Sequence, residues 1–316
     1  MTRVSVIIPN YNGRRFLDPC LGALLRQTYT QELIEVILVD DASTDDSVAY
    51  VRERYPQVKI VELASNSGLA VGCNAGARAA NGDLLVMLNN DTEPEPGWLA
   101  ALVDVAKAHP HAGAVASKML LFDRRDTLHN AGDGMGADGI PRNRGVWEVD
   151  RGQYDARTEV FGGCGGGVAY RRDAWEATGG FDERLFMYLE DVDLAWRLQL
   201  LGWQARFAPA ARLYHHLSAT GGGTLASYYT GRNTVWVIAK DMPGPLIRRH
   251  FGRIIRAQWR VTRDALAAWR GAAARARLHG QMTGMLGLPR VLAWRQRVQQ
   301  TRQVSIDVVD AMLLRD

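Results

Sequence analysis

Apolar positions along the first 120 residues follow two alternating periods. VSVIIP (4–9), VILVD (36–40), VKIVEL (58–63), LLVML (84–88) and AGAVAS (112–117) are short apolar runs. Between them the spacing turns helical: Leu17, Leu21, Leu24 and Leu25, then an alanine-rich stretch over 70–80, then 97–108. Ser43 and Asp46 have capping-box spacing ahead of a short helix toward Tyr55. Near-continuous apolar strands separated by helices predict an α/β fold, with a mostly parallel central sheet flanked by helices.

The second half is less regular. Residues 120–160 are irregular and rich in glycine, and FGGCGGGVAYRR (161–172) reads as a strand loosened by glycine, where a ligand can approach the backbone. A helix is expected over about 189–201, strands over 203–209 and 211–216, and helices from about 243 onward, broken at Pro289. Pro243 and Pro245 mark the expected boundary between a catalytic-type domain over 1–240 and a helical extension over 241–316.

In such a sheet, ligands bind beyond the carboxyl ends of the strands. Polar residues fall at those ends: Asn10 and Asn12, Asp40 and Asp41, Asn66, and Asn89–Asp91. Loop polarity explains any one of them; four together point to a site. The first turn reads PNYNGRR, which lacks the G-x-G-x-x-G of a dinucleotide fold, and the chain has no P-loop motif. A nucleotide would therefore be held by side chains, with the Asp40 carboxylate accepting from a base N–H. Asp91, flanked by amides, offers hard oxygen to Mg2+ or Mn2+. Taken alone, it is better explained as turning the chain before Pro94. Glu190-Asp191 opens the amphipathic stretch 190–201, with Asp193 placed to stay on the same side as Glu190. The pair reads either as first-turn acids favoured by the helix dipole or as a general base. His215-His216 ends a strand, where histidines are more often structural than ligating.

Composition narrows the class. Apolar residues make up 47%, and no apolar run approaches the roughly 20 residues of a membrane span. Cys20, Cys73 and Cys164 stand alone, so the expectation is reduced thiols, without a zinc site or disulfide framework. The N-terminus runs directly into a strand, which argues against a signal peptide and for a cytoplasmic protein. The net charge of +4 hides an asymmetry: 241–316 holds 14 Arg, no Lys and 5 acids, giving +9, so the first 240 residues carry −5.

VSVIIPNYNG (4–13), VILVDDASTDDS (36–47), NSGLAVGCNAG (66–76), NGDLLVMLNNDTEP (81–94) and GGFDERLFMYLEDVDLAWRLQLLGW (179–203), in this order, resemble a family 2 glycosyltransferase of the GT-A fold. The resemblance covers about residues 3–235. It implies an inverting transfer from a nucleotide-sugar to a hydroxyl of a glycan or polyprenyl-linked acceptor, with Mg2+ or Mn2+ as cofactor. Within it, Asp40 matches the acid that holds the pyrimidine. Pro9, Asn10, Tyr11, Asn66, Asn74, Asn90 and Arg232 fall on the donor side. Asn89-Asn90-Asp91 occupies the place of the D-x-D, of which only Asp91 keeps its carboxylate, as metal and diphosphate ligand. Asp191 matches the catalytic base, with Gly165, Gly166 and Glu190 on the acceptor side. His215 or His216 falls near a further metal position. The pattern is closer to the bacterial rhamnosyltransferase-like branch, which implies a dTDP- or UDP-linked donor and cell-surface polysaccharide synthesis. Two alternatives stay open: a non-catalytic sugar-nucleotide-binding member, and a nucleotidyltransferase, for which PNYNGRR is a poor first loop.

The tail adds a partner. LIRRHFGRIIRAQWR (246–260) sets Leu246, Phe251, Ile254, Ile255 and Trp259 beside Arg248, Arg249, Arg253, Arg256 and Arg260. Such a helix suits an anionic membrane surface, here the inner face of the cytoplasmic membrane. Equally, it suits packing on the body or on a second subunit, giving a homodimer. No nucleic-acid motif accompanies the charge.

Overall fold

Each apolar run that predicts a strand forms one in the computed structural model, which describes residues 1–216 and 223–315. Along the chain come β1 (Val4–Asn10), α1 (Arg14–Leu25), β2 (Ile34–Asp40), α2 (Ser47–Arg54), β3 (Lys59–Glu62), α3 (Leu69–Ala79), β4 (Leu84–Leu88), β5 (Thr92–Pro94), α4 (Trp98–Ala108) and β6 (Ala112–Leu121). The short strands β7 (Leu128–Asn130), β8 (Asp133–Met135), β9 (Pro141–Asn143) and β10 (Glu159–Val160) follow, then β11 (Gly167–Arg171), α5 (Arg172–Thr178), α6 (Glu190–Leu200) and β12 (Gln204–His215). Helices α7 (Gly223–Asp241), α8 (Gly244–Ala267), α9 (Ala272–Leu286), α10 (Leu288–Gln300) and α11 (Ile306–Ala311) complete the described chain.

The sheet order is β10-β12-β6-β11-β4-β1-β2-β3. β1 pairs in parallel with β2 and β4, β2 with β3, and β6 with β12, while β11 runs antiparallel between β4 and β6. The long strands other than β11 thus share one direction, and their carboxyl ends share one rim. Both faces are covered. Leu17, Leu21 and Leu24 of α1 and Leu99, Leu102 and Val103 of α4 pack under one face. Ala70 and Cys73 of α3, Trp175 of α5, and Leu194 and Leu198 of α6 pack on the other. A third cluster joins the outer side of α6, through Val192, Ala195 and Trp196, to Val237 and Ile238 of α7, Leu246 and Ile254 of α8, and Val309. The helical tail is therefore docked on the helix that carries Glu190-Asp191.

Four expectations need correction. The stretches 203–209 and 211–216 form one strand, β12, whose register shifts between Ala208 and Arg212; this bulge keeps the chain in the sheet past Pro209. Of 161–172 only Gly167–Arg171 is strand, and the glycines before it cross the rim. The break between α9 and α10 falls at Gly287, while Pro289 sits in the first turn of α10, where its missing N–H leaves no helical bond unmade. Ser43 makes no capping box: α2 starts at Ser47, and the Ser43 hydroxyl accepts from the Asn12 N–H (2.9 Å).

Candidate functional site

The rim is tied together by its own polar side chains. Asn10 Nδ2 donates to Asp40 Oδ1 (3.0 Å), and Asn90 Nδ2 donates to Asn10 Oδ1 (2.7 Å). A buried line of hydrogen bonds thus runs from the end of β2 through β1 to the turn after β4. Asp40 Oδ2 accepts from Ser43 N–H, and Asp41 holds the Ser67 and Gly68 N–H groups. Gly13 lies against this line. A Cβ there would come within 2.1 Å of Asn90 Nδ2 and 2.4 Å of Asn10 Oδ1, so a side chain at 13 would have to displace these amides.

Next to it opens a cleft of about 520 Å3. Asp91, buried to 3% exposure, forms one wall. The antiparallel pairing of β12 with β5 puts His215 opposite Thr92, and His215 Nε2 lies 3.2 Å from Asp91 Oδ1. His215 Nδ1 is buried with no hydrogen-bond partner among the described residues. His129 stacks on His215 at 4.8 Å between ring centres, and burial, followed by the neighbouring imidazole, lowers its pKa to about 4. Asn89 also lines the cleft, whereas Asn90 points the other way. β4 ends at Leu88, and the turn at 90–91 that leads into β5 separates Asn90 from Asn89 and Asp91.

Three further acids, Asp133, Glu190 and Asp191, line the same cleft. Asp191 Oδ2 accepts from Gly165 N–H (2.8 Å) and Oδ1 from Val192 N–H (2.8 Å). Burial raises its pKa and these N–H bonds oppose the rise. Glu190 is pushed well above the carboxylate range, by burial first and by Asp191 second, and its Oε2 has no partner among the described residues. Asp133 is pushed up to about 7, again by burial first and Asp191 second. A Cβ at Gly165 would stand 3.4 Å from both Asp191 Oδ2 and Glu190 Oε1, in contact with the two carboxyls.

The loop that delivers these acids is strained. Phe186, Tyr188 and Leu189 all have positive φ, between 64° and 66°. Non-glycine residues there cost roughly 1–3 kcal/mol each. Asn233 of α7, fully buried, offsets part of this. Its Nδ2 lies within hydrogen-bonding distance of the carbonyls of Leu185 (3.1 Å), Met187 (3.0 Å) and Tyr188 (2.6 Å).

A family model for glycosyl transferase family 2 matches residues 5–179. The chain belongs to glycosyl transferase family 2. Among relatives of this glycosyltransferase is the N-acetylglucosaminyl-diphospho-decaprenol L-rhamnosyltransferase of Mycobacterium tuberculosis (strain CDC 1551 / Oshkosh). It is 29% identical over 248 residues, covering 71% of this chain and 80% of the relative. The O-antigen biosynthesis protein RfbC of Myxococcus xanthus is 32% identical over 231 residues, 69% of this chain and 18% of that protein. Among solved structures, the mannosyltransferase PcManGT from Pyrobaculum calidifontis, in complex with GDP-Man and Mn2+, aligns with a TM-score of 0.60 and 21% identity, over 95% of this chain and 86% of that one. GalNAc-T7 with UDP, GalNAc and Mn2+ aligns at 0.60 and 17%, over 76% of this chain and 49% of that one. At these identities the likeness concerns the fold, and it agrees with the GT-A arrangement expected from the sequence.

The glycosyltransferase cleft gathers Asp91, His215, Gly165, Gly166, Glu190 and Asp191. Asp40 and Asn10 lie outside its lining and join it through Asn90. Pro9 is half-buried near the end of β1; Tyr11 and Asn66 are exposed on the loops after β1 and β3. His216 is turned away, stacked on Phe122 at 3.6 Å. Asn74 is buried elsewhere, bonded to both the N–H and C=O of Phe181. Arg232 donates to the carbonyls of Arg184 and Leu185 and lies over Tyr229 and Trp236. Asp193 does not share the cleft with Glu190; it is fully buried and paired with Arg197 and Lys240. Sequence reading missed His129, Asp133, Tyr188 and Arg277.

Proposed function

We propose that this chain is a metal-dependent, inverting glycosyltransferase. It moves a sugar from a dTDP- or UDP-linked donor to a hydroxyl of a polyprenyl-linked glycan, in cell-surface polysaccharide synthesis. The observation that carries the reading is the cleft itself, which the Asp91–His215 pair and Glu190-Asp191 line together. Asp40, with Asn10 and the surrounding rim, would take the base and ribose end of the donor.

Asp191 is the proposed base. It is the acid of its group whose ionised form is met by two N–H donors, whereas Glu190 is left to hold a proton. The acceptor hydroxyl attacks the anomeric carbon as the bond from that carbon to the diphosphate oxygen breaks. The nucleoside diphosphate leaves with the electron pair, and Asp191 takes the hydroxyl proton. One displacement inverts the anomeric centre. The donor set fits a hard divalent ion: Asp91 supplies a carboxylate, His215 a ring nitrogen beside it. Among the described residues no group of three or more His, Cys, Asp or Glu would hold a metal alone. Mg2+ and Mn2+ commonly take one or two protein ligands and complete the shell with phosphate and water. Such an ion, when bound, would neutralise charge on the leaving diphosphate.

The tail supports peripheral membrane docking at a cytoplasmic face. No helix among the described residues is long and apolar enough to cross a membrane. On α8, Leu246, Ile254 and Ala257 pack inward, while Phe251, Ile255 and Trp259 stand 52–63% exposed in a second stripe at i, i+4, i+8. Arg249 is engaged with Asp307 and Asp310, but Arg248, Arg253 and Arg256 form no ion pair among the described residues.

Nucleoside diphosphate release from UDP-, dTDP- and GDP-sugars, with a polyprenyl-diphosphate-linked N-acetylglucosamine as acceptor, tests the reading. The expected result is release from a dTDP- or UDP-sugar that stops with EDTA and returns with Mn2+ or Mg2+. A second reading, a non-catalytic sugar-nucleotide binder, is favoured by Asn89 standing where the D-x-D has its first acid. It predicts a thermal shift with donor and no release.

A further inference from the structure

We propose that the groove between α7, α8 and α9 seats the diphosphate and the first part of the apolar chain of the acceptor, with Arg277 as the anion contact. This deepens the transferase reading and rests on it. The catalytic cleft does not end at Asp191. It adjoins a second cavity of about 500 Å3, and both are lined by Pro141, Ser227, Thr230, Ala273 and Arg277. Arg277 stands at the junction.

Unlike Arg248, Arg253 and Arg256, which form no ion pair among the described residues but are exposed, Arg277 is half-buried. Arg249, Arg263 and Arg315 meet carboxylates, and Arg275, Arg295 and Arg302 donate to carbonyls. Arg277 makes no ion pair and donates no hydrogen bond among the described residues, although it is half-buried and burial is the sole influence on its pKa. A partly desolvated guanidinium without a counter-charge is unfavourable until an anion enters, and its planar fork suits phosphate oxygens. The acid in the second cavity, Asp264, is already paired with Arg263 (3.0 Å). The amide of Gln258 faces Gln281, which in turn meets Thr262.

Apolar side chains also line the second cavity, among them Ile140, Val261, Ala265, Ala268 and Ala274, beside the polar Thr234, Gln258 and Gln281. Leu266 and Trp269, next in sequence to Ala265 and Ala268, are 51% and 59% exposed. The acids Glu190 and Asp191 in the first cavity, a cation shared by both cavities and apolar side chains in the second match a sugar, a diphosphate and a hydrocarbon chain. They match a nucleotide less well, because a nucleoside has no long apolar part to meet those apolar side chains.

The test uses the full chain with two probes, farnesyl diphosphate and inorganic diphosphate, and with dTDP and UDP as donor-side controls, read by calorimetry. Farnesyl diphosphate is expected to bind wild type at least about tenfold more tightly than inorganic diphosphate. Arg277→Ala should weaken farnesyl diphosphate binding about tenfold to a hundredfold, the range of a lost charge-assisted bond, while dTDP and UDP binding stays within about twofold. Arg277→Lys should recover part of the loss, and Ala268→Trp should weaken farnesyl diphosphate but not inorganic diphosphate. The proposal is overturned if Arg277→Ala binds farnesyl diphosphate like wild type, or if it loses dTDP or UDP to the same extent, which would give Arg277 to the donor. These readouts do not depend on turnover: a chain that binds the probes but transfers nothing would sink the transferase reading and leave the anion site standing.

Discussion

Glu190, Asp191 and Asp133 crowd one side of the cleft, and hydrogen bonding decides which of them carries charge. Asp191 has two N–H donors, so its carboxylate is the stable ionised form, while Glu190 is better met as a neutral acid. Glu190→Gln should therefore keep turnover within about tenfold of wild type in the transfer assay, because the amide imitates the protonated acid. The raised Asp191 pKa sets the sign of the pH profile. A base works only when ionised, so kcat should fall as pH drops, on an acid limb above the usual carboxylate range. Asp133 gives a separate stability signal. Its folded pKa of about 7 lies above its unfolded value of about 3.9, so its contribution is complete below about pH 4 and is lost as pH rises through 7. Melting curves should show Asp133→Asn gaining on wild type between pH 4 and 8. Of these acids Glu190 and Asp191 were legible, because they open a strongly patterned helix. Asp133 and His129 were not. They come from short strands in 120–160, where no periodicity marks which side chains turn inward.

The strand–helix alternation of the first 120 residues could be read because each element is apolar on the side that the sheet or its neighbours bury. What failed were features fixed by tertiary contact. Pro209 invites a strand break, but pairing of β12 with both β6 and β5 holds the strand through a bulge. Ser43 invites a cap, but the neighbouring β1 turn takes its hydroxyl. The loop 186–189 has no sequence mark of its left-handed backbone, since it contains no glycine; its conformation is imposed by α7 through Asn233. Asn233→Ala would leave the loop carbonyls without these donors, and each unmade buried bond costs about 1–3 kcal/mol. The expected outcome is a lowered melting temperature and a kcat reduced more than tenfold, with the donor KM changed less, because the loop carries the acids and not the Asp40 rim. Gly13→Ala should do the reverse: its Cβ would push Asn90 away from Asn10, raising the donor KM severalfold more than it lowers kcat.

Across the whole molecule, an acidic body carries a basic tail of opposite sign, and the tail has two apolar faces. One docks on α6 and so supports the site; the other, with Phe251, Ile255 and Trp259, faces solvent. Flotation with vesicles containing anionic lipid should carry the protein upward at low salt and release it as salt rises. Replacing Phe251, Ile255 and Trp259 together by Ser should abolish flotation while the melting temperature stays near wild type. The domain division expected at 240 falls at the end of α7, whose residues pack against both α6 and the tail, so the site draws on both parts. The transferase account depends on Asp191 acting as base in the cleft that Asp91 shares. The direct measurement is Asp191→Asn, compared with wild type for donor-induced thermal shift and for turnover under saturating donor and acceptor. The shift should be retained and turnover should fall by about two to four orders of magnitude. Turnover within a fewfold of wild type would contradict the account.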